Sequence, residues 1–320
     1  MFYSHHPSLG LLLASAVPVL DPASKDAKAI GSLFLIVFLV CLAILAVISA
    51  LICTSLCRFR AQDNNFPPQN FGRHGSETLW AVPPVLIVLT FSLLSAKLIV
   101  SDSAGAGDPD IVVVGHQWWW EVRYPGSRAV TANEIHIPLG RRLRVRMESA
   151  DVIHSFWVPQ LGPKMDMIRG HPSFVWLQAD GAGIYQGACS EFCGDQHAWM
   201  RFLVIAEPES QFKRWLERQA RPALGAANDT AQAGRNFFFA QTCANCHAVG
   251  GTSAVATAGP DLTHLAGRRQ LAAGILDKTP ENLARWLKNP QEIKPGCQMP
   301  NFNLNDDQVN ELVAYLEGLR

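Results

Sequence analysis

Charged residues are few in this sequence, and the positive and negative charges balance. Only 17% of the 320 residues are Asp, Glu, Lys or Arg, and the 27 basic side chains are offset by 27 acidic ones. Proteins that bind nucleic acid usually carry a basic patch or a strongly basic domain. The composition therefore gives no support to a nucleic-acid partner.

Charge is missing altogether from two long stretches. No charged residue occurs between Lys28 and Arg58, or between Glu77 and Lys97. Each stretch has about the ~20 apolar residues that a helix needs to cross a bilayer. A buried core helix is the alternative for each. The membrane reading predicts spans at about 30–53 and 79–100, within a hairpin of residues 29–102.

A basic segment is missing from the N-terminus. Residues 11–16 read L-L-L-A-S-A, which resembles the apolar part of a signal peptide and its cleavage site. No Lys or Arg precedes this run, so cleavage stays open for the N-terminal segment of residues 1–28. The second span carries Pro83 and Pro84, which we expect in its first turn, where helices have spare N–H groups.

The sequence does contain eight cysteines, and two of them belong to one compact motif. Residues 189–200 read C-S-E-F-C-G-D-Q-H-A-W-M. Thiolate, imidazole and thioether donors together suit copper better than magnesium or calcium, which prefer oxygen. A disulfide between Cys189 and Cys193 is the alternative for an exported protein. The donors within the motif are Cys189, Cys193, His197 and Met200.

A copper site also needs a ligand from another segment. His154, in D-V-I-H-S-F, is placed to supply one, although a lone histidine on an apolar strand is more often a core residue. His116, His136 and His171 compete for the same role.

A second heteroatom cluster, C-A-N-C-H at 243–247, has the spacing of a c-type haem attachment site. The thiols of Cys243 and Cys246 would bind the haem and His247 would ligate the iron. Met299 is the only methionine after the motif and His264 the only rival imidazole. Methionine–histidine ligation raises the haem potential. Because c-type haem is attached outside the cytoplasm, residues 103–320 should face the periplasm or its equivalent.

The rest of the chain predicts a multidomain fold. Short β-rich runs separated by turns favour a β-sandwich over residues 103–222. A small, turn-prone linker follows, and helical periodicity then predicts an all-α cytochrome c domain over 229–320. Asn305 is placed to cap the last helix, with Gln308 as the partner in a capping box.

Residues ~25–215 resemble subunit II of cytochrome c oxidase, a membrane-anchored cupredoxin. The resemblance rests on C-S-E-F-C-G-x-x-H-x-x-M, D-V-I-H-S-F and the G-H-Q-W-W-W run at 115–120. It implies a dinuclear copper centre, CuA, whose two metals are bridged by both thiolates. The implied ligands are Cys189, Cys193, His154, His197, Met200 and the backbone carbonyl of Glu191.

The same resemblance implies roles for four further residues. Trp118 resembles an exposed tryptophan through which electrons enter CuA, although packing on the sandwich would also explain it. The Glu191 side chain resembles a ligand to magnesium shared with subunit I. Glu77 resembles a glutamate at the mouth of a proton channel, although an acidic residue also stabilises a helix start. Pro260 is expected to support His247.

The combination resembles a caa-type oxidase, in which subunit II carries a fused cytochrome c. It implies electron transfer from a cytochrome c or quinol–cytochrome c reductase to haem c, then CuA, then subunit I, where O2 is reduced to water with proton translocation. Partners would be subunit I, subunit III and the lipid of a bacterial inner membrane. A copper-free quinol-oxidase subunit, or a membrane-anchored carrier for another terminal reductase, are the alternatives.

Overall fold

The computed structural model describes residues 18–60, 72, 74–102, 105 and 107–320. The candidate signal sequence at 11–16 lies outside the described residues. The chain divides into two compact units. One comprises Lys28–Ser103, and the other combines Met1–Ala27 with Ala104–Arg320.

Two long apolar helices account for the smaller unit. Helix α1 spans Lys25–Arg58 and helix α2 spans His74–Asp102. Their apolar side chains point outward, with Leu45 60% exposed and Leu93 64% exposed. A core helix would bury such side chains, and none is buried in the most apolar 18-residue window of either helix. Both helices are long and apolar enough to cross a membrane.

The prediction for the two prolines of α2 is wrong. The helix begins at His74, so Pro83 and Pro84 lie in its interior rather than in its first turn. The apolar run begins only at Leu79, but the polar residues before it are also helical. Proline has no N–H, so two hydrogen bonds of the usual helical pattern are not made here.

Ten strands form the predicted β-sandwich. The first sheet has the order β3-β2-β1-β5-β8 and the second the order β4-β10-β9-β6-β7. The strands are β1 Ile111–His116, β2 Trp119–Arg123, β3 Val130–Ala132, β4 Glu134–Pro138, β5 Leu143–Ser149, β6 His154–Trp157, β7 Met165–Met167, β8 Ser173–Leu177, β9 Gly183–Cys189 and β10 Arg201–Glu207. A helix, α3 (Glu209–Gln219), follows the last strand.

The core of the sandwich lies between the two sheets. Along β5, buried Leu143, Val145 and Met147 alternate with more exposed arginines, as the period of two in a strand requires. Trp120 is fully buried, and its ring centroid lies 5.0 Å from that of Phe202. The sheet that carries the copper motif therefore rests on a rigid aromatic core.

Strand β9 was not predicted, although it lies in the middle of the second sheet. Its sequence, G-I-Y-Q-G-A-C, contains two glycines and only one β-branched residue, so it lacks the composition typical of strands. Gly187 is required by packing, because a Cβ there would collide with the Phe202 ring. A tertiary contact therefore requires Gly187, and this glycine makes the strand hard to recognise from the sequence.

The C-terminal region is helical, as predicted, with one added two-stranded ribbon of β11 (Gln270–Leu271) and β12 (Leu276–Asp277). The first and last helices pack against each other, and Gly234 lies where the backbone of the last helix comes closest. The capping box of Asn305 and Gln308 is present. The helices are α4 Asp229–Ala240, α5 Pro280–Lys288, α6 Pro290–Ile293 and α7 Asp306–Glu317.

Candidate copper and haem sites

Neighbouring strands of the second sheet bring the soft donors together. Strand β6 begins at His154, β9 ends at Cys189, and β10 starts directly after Met200. Strand β9 pairs with both of the others. Cys193 and His197 lie on the loop that joins β9 to β10. Residues that are far apart in sequence thus meet at one end of the sheet.

These five side chains, the donor cluster, face one another. The Sγ atoms of Cys189 and Cys193 are 3.8 Å apart, and His154 Nδ1 lies 4.0 Å from Cys189 Sγ. His197 Nδ1 is 3.6 Å and Met200 Sδ 3.8 Å from Cys193 Sγ. Two ligands of one tetrahedral metal are separated by about 3.5 Å when the bonds are about 2.0 Å to nitrogen and 2.3 Å to sulfur, as in zinc sites. The donor cluster therefore fits soft-metal binding.

The two thiols are free rather than joined in a disulfide. Hydrogen bonding with Cys193 and with His154 lowers the pKa of Cys189 despite its burial. The adjacent Cys189 thiolate and burial raise the pKa of Cys193. A lowered thiol pKa favours the thiolate form, which is the form that binds a metal.

His154 is held in place by a carboxylate that the sequence analysis did not single out. Its Nε2 lies 2.7 Å from Asp151 Oδ1, so the other ring nitrogen, Nδ1, faces Cys189. Asp151 is fixed in turn by the backbone N–H groups of Gln117 and Val152, both at 2.7 Å. The signal was available, because this aspartate opens the D-V-I-H-S-F run. A carboxylate behind a ligating histidine fixes its tautomer and orientation.

The competing histidines lie away from the donor cluster. His116 pairs with Glu121 at 3.2 Å, and His136 pairs with Glu207 at 2.9 Å. His171 is an exposed residue in a backbone bridge with Ile168. Of these four upstream histidines, His154 is the one that forms a possible metal cluster with the two cysteines.

A mainly apolar cavity lies in the cytochrome domain, next to the end of α4. Cys243, Cys246 and His247 line it, together with Pro260 and Met299. Side chains of the sandwich complete its wall: Gln117, Trp118, Trp119 and Asn133. The C-A-N-C-H motif therefore opens into a cavity with the apolar lining that a haem requires.

His247 is oriented for metal binding. Its Nδ1 is 2.7 Å from the Pro260 carbonyl oxygen, which leaves Nε2 free. Burial lowers the pKa of His247, so its imidazole is neutral at physiological pH. Gly259 packs closely against the ring: a Cβ at this position would lie 2.6 Å from His247 Cε1, so a larger residue would displace the imidazole. The Pro260 carbonyl therefore fixes the orientation of the His247 ring.

The structure separates the two candidates for the sixth iron ligand. Met299 lines the cavity, whereas His264 is not among the lining residues. His264 is buried elsewhere, with Nε2 3.0 Å from the carbonyl oxygen of Arg221. The arrangement therefore supports Met299.

Three family profiles match the chain. They are the transmembrane domain of cytochrome c oxidase subunit II at residues 14–98, its periplasmic domain at 127–207 and cytochrome c at 231–320. Cytochrome c oxidase subunit 2 of Alkalihalophilus pseudofirmus is 32% identical over 325 residues, which cover 97% of this chain and 93% of that one. This chain belongs to the cytochrome c oxidase subunit II family. It is a membrane-anchored member whose periplasmic-domain and cytochrome c matches imply copper and haem c.

Two other similar proteins complete the comparison. Quinol oxidase subunit 2 of Bacillus cereus is 30% identical over 217 residues, which cover 64% of this chain and 75% of that one. The periplasmic domain of subunit II of cytochrome oxidase from Bradyrhizobium japonicum is 30% identical, with a TM-score of 0.34, and covers 36% of this chain and 95% of that one. Membership of the subunit II family makes this chain part of a haem–copper oxidase, an oxidoreductase complex with subunit I as partner.

Trp118, for which electron entry and packing on the sandwich were the two interpretations, lies between the sandwich core and the haem cavity. Its side chain is half-buried: it packs against the core of the sandwich and also lines the haem cavity. Its indole Nε1 donates a hydrogen bond to the Cys193 carbonyl oxygen at 2.9 Å. A tryptophan of this subunit II thus contacts both candidate sites.

Two glutamates named by the resemblance, Glu191 and Glu77, have different surroundings. The carbonyl oxygen of Glu191 lies 3.2 Å from Cys189 Sγ, whereas its side chain is exposed and outside the candidate metal cluster. Glu77 lies in the first turn of α2, where a negative charge complements the helix dipole.

Proposed function

We propose that this chain carries electrons from a haem c to a dinuclear copper centre and on to subunit I, where O2 is reduced to water with proton translocation. The observation that carries the proposal is the position of Trp118. Its side chain lines the haem cavity, and its N–H donates to the carbonyl of Cys193, a donor-cluster residue. One side chain therefore bridges the two redox sites.

The residues that hold the two groups follow from the geometry. Haem c would be bound by Cys243 and Cys246 and ligated by His247 and Met299, with Pro260 orienting the proximal imidazole. When bound, haem c and the copper pair would each accept and release one electron. The copper ligands would be His154, Cys189, Glu191 through its carbonyl, Cys193, His197 and Met200.

The protein contributes rigidity and shielding rather than bond-breaking chemistry. Asp151 fixes the His154 ring, and the aromatic core beneath β9 and β10 limits rearrangement of the donors. A site that changes little on reduction transfers electrons quickly, and support by packed neighbours keeps it so. The sandwich in turn closes part of the haem cavity wall.

Several finer points belong to the same proposal. The chain crosses a bacterial inner membrane twice, with the copper and haem domains on the periplasmic side. Subunit III joins subunit I in the complex, and a cytochrome c or a quinol–cytochrome c reductase supplies electrons. The side chain of Glu191 shares a magnesium ion with subunit I, and Glu77 lies at the entrance of a proton channel.

The rival functions differ in what they require of the chain. A quinol-oxidase subunit without copper has no use for the free cysteines, yet Cys189 and Cys193 are both present and face His154 and His197. A membrane-anchored carrier for another terminal reductase would use both sites but would not associate with an oxidase subunit I. That carrier is the second candidate.

Purification in mild detergent distinguishes the oxidase from the carrier. Co-purification of a large subunit with a-type haem supports the oxidase, and a chain isolated alone with both groups supports the carrier. Within the chain, Cys189→Ser should lose copper and its thiolate absorption but keep haem c. Cys41→Ser, a thiol in α1, is the matched control and should keep both groups. A Cys189→Ser protein that retains the copper signal would overturn the copper assignment.

A further inference from the structure

The cytochrome domain packs directly on the sandwich through polar contacts. The backbone N–H of Arg201, at the start of β10, donates to the Ala273 carbonyl at 3.1 Å. The side-chain amide of Gln196, within the copper-motif loop, donates to the carbonyl of Pro295. The contact area therefore lies beside both candidate redox sites.

Lys294 is a buried cation in this contact area, and only 3% of the residue is exposed. It belongs to the cytochrome domain, yet its Nζ donates to two carbonyls of the sandwich, Trp118 at 2.9 Å and Trp199 at 3.1 Å. A third bond goes to Ala272 of its own domain at 3.3 Å. All three ammonium protons thus have an acceptor.

Glu134 is the counterpart on the sandwich, and it is also 3% exposed. Its Oε1 accepts hydrogen bonds from the backbone N–H groups of Arg269 and Gln270 in the cytochrome domain. Each domain therefore contributes one buried charged side chain that is hydrogen-bonded to backbone groups of the other domain. A buried charge without such partners is strongly unfavourable, so both contacts favour the docked arrangement.

Hydrogen bonds also fix the segment that connects the two domains to the cytochrome domain. The Ala223 N–H donates to the Gly250 carbonyl at 3.1 Å, and His264 Nε2 contacts the Arg221 carbonyl at 3.0 Å. The first part of the expected linker is therefore bonded to the cytochrome domain. It does not act as a free tether over residues 221–223.

The docking segment is continuous with the haem-ligand segment. The amide Nε2 of Gln291 donates to the carbonyls of Cys297 at 2.8 Å and Met299 at 2.7 Å. Lys294 and Pro295 lie between these residues and contact the sandwich. A shift of Lys294 would therefore be passed on to the segment that carries Met299.

We propose that Lys294 and Glu134 form an interdomain clasp, a pair of positioning residues that keeps the haem cavity fixed against Trp118 throughout turnover. The cytochrome domain is then a permanently docked donor, and reduction occurs without its release from the sandwich. The expected effect on electron transfer rests on the proposed function, whereas the docking of the two domains does not.

Electron transfer within the purified complex tests the kinetic consequence. One electron is delivered to haem c from a photoactivated reductant, and oxidation of the haem and reduction of copper are followed optically. Lys294→Met keeps the length of the side chain but removes its donors, so it should loosen the domain contact and slow the transfer relative to the parent. Lys288→Met, at an exposed lysine paired with Asp306, is the control and should not change the rate.

Amide hydrogen exchange tests the docking without reference to electron transfer. In the parent complex the N–H groups of Arg201, Arg269 and Gln270 should be protected, because each donates across the domain contact. Glu134→Gln and Lys294→Met should increase exchange at these amides, while protection of the separate cores of the two domains stays unchanged. Preserved cores show that each variant is folded.

The outcomes separate the two proposals. If the parent complex transfers electrons from haem to copper and Lys294→Met matches Lys288→Met, the clasp is wrong and the proposed function stands. Rapid exchange of the contact amides in the parent also overturns the clasp, since it shows a domain that undocks. If the parent shows no transfer while the amides are protected, the proposed function fails and the docking stands.

Discussion

Replacing Asp151 with asparagine should weaken copper binding without removing any copper ligand. Oδ1 of Asp151 lies 2.7 Å from both His154 Nε2 and the Val152 N–H, and Oδ2 accepts from the Gln117 N–H at 2.7 Å. An asparagine has one oxygen for these contacts. If that oxygen faces His154, the NH2 group faces the Gln117 N–H, so two donors oppose each other. In the reverse orientation the hydrogen bond with His154 is lost.

The expected size of the effect follows from the loss of one charge-assisted hydrogen bond behind a ligand. Changes of this kind cost about 10- to 100-fold in metal affinity, or about 1.4–2.7 kcal/mol. His154 itself is fully buried, so no water can replace the missing partner directly. The loss should therefore appear in affinity rather than in overall folding.

Competition with a copper chelator measures the affinity of the full chain in detergent. Asp166→Asn is the matched control, because Asp166 is an exposed residue on β7 in the same sheet. We expect the control to bind copper like the parent and Asp151→Asn to release it at a lower chelator concentration. An affinity within twofold of the parent would refute the role given to Asp151.

Three further changes address the other elements. Gly234→Ala should destabilise the cytochrome domain by about 1–3 kcal/mol, because the new Cβ meets the backbone of α7, whereas Gly225→Ala, with open space around it, should not lower the thermal midpoint. Met299→Leu should change the haem spectrum and lower its potential, whereas His264→Gln should alter neither. Burial opposes ionisation of Glu121, but its hydrogen bonds outweigh burial and lower its pKa, so Glu121→Gln should lose stability above the ordinary pKa of 4.5. Denaturation should show this difference shrinking as the pH falls below that value.

The sequence was most informative where ligands are close together along the chain. Four candidate copper donors lie within residues 189–200 and three haem-attachment residues within 243–247, so their spacing indicates a soft-metal site and a haem attachment site. His154 required the resemblance, because a single histidine carries no spacing signal. The helices of the cytochrome domain were also predictable, since capping residues and apolar periodicity act locally.

The features that escaped prediction depend on contacts between distant segments. Strand β9 was missed in part because Gly187 is required by the Phe202 ring of the neighbouring strand. The place of Trp118 in the wall of the haem cavity was also not predictable, because the cavity is lined by residues from two domains. Lys294 and Glu134 look like ordinary surface charges in the sequence. Only the packing of two domains buries them against backbone groups.

The central claim is that haem and copper lie in series within one chain and that Trp118 joins them. The most direct test delivers one electron to haem c of the oxidised complex and follows both groups in the parent and in Trp118→Leu. We expect copper to be reduced as the haem is oxidised, at a rate independent of protein concentration, and Trp118→Leu to be slower while both groups remain bound. Haem oxidation without copper reduction in the parent would contradict the series arrangement, and an unchanged rate in Trp118→Leu would contradict the role of the tryptophan.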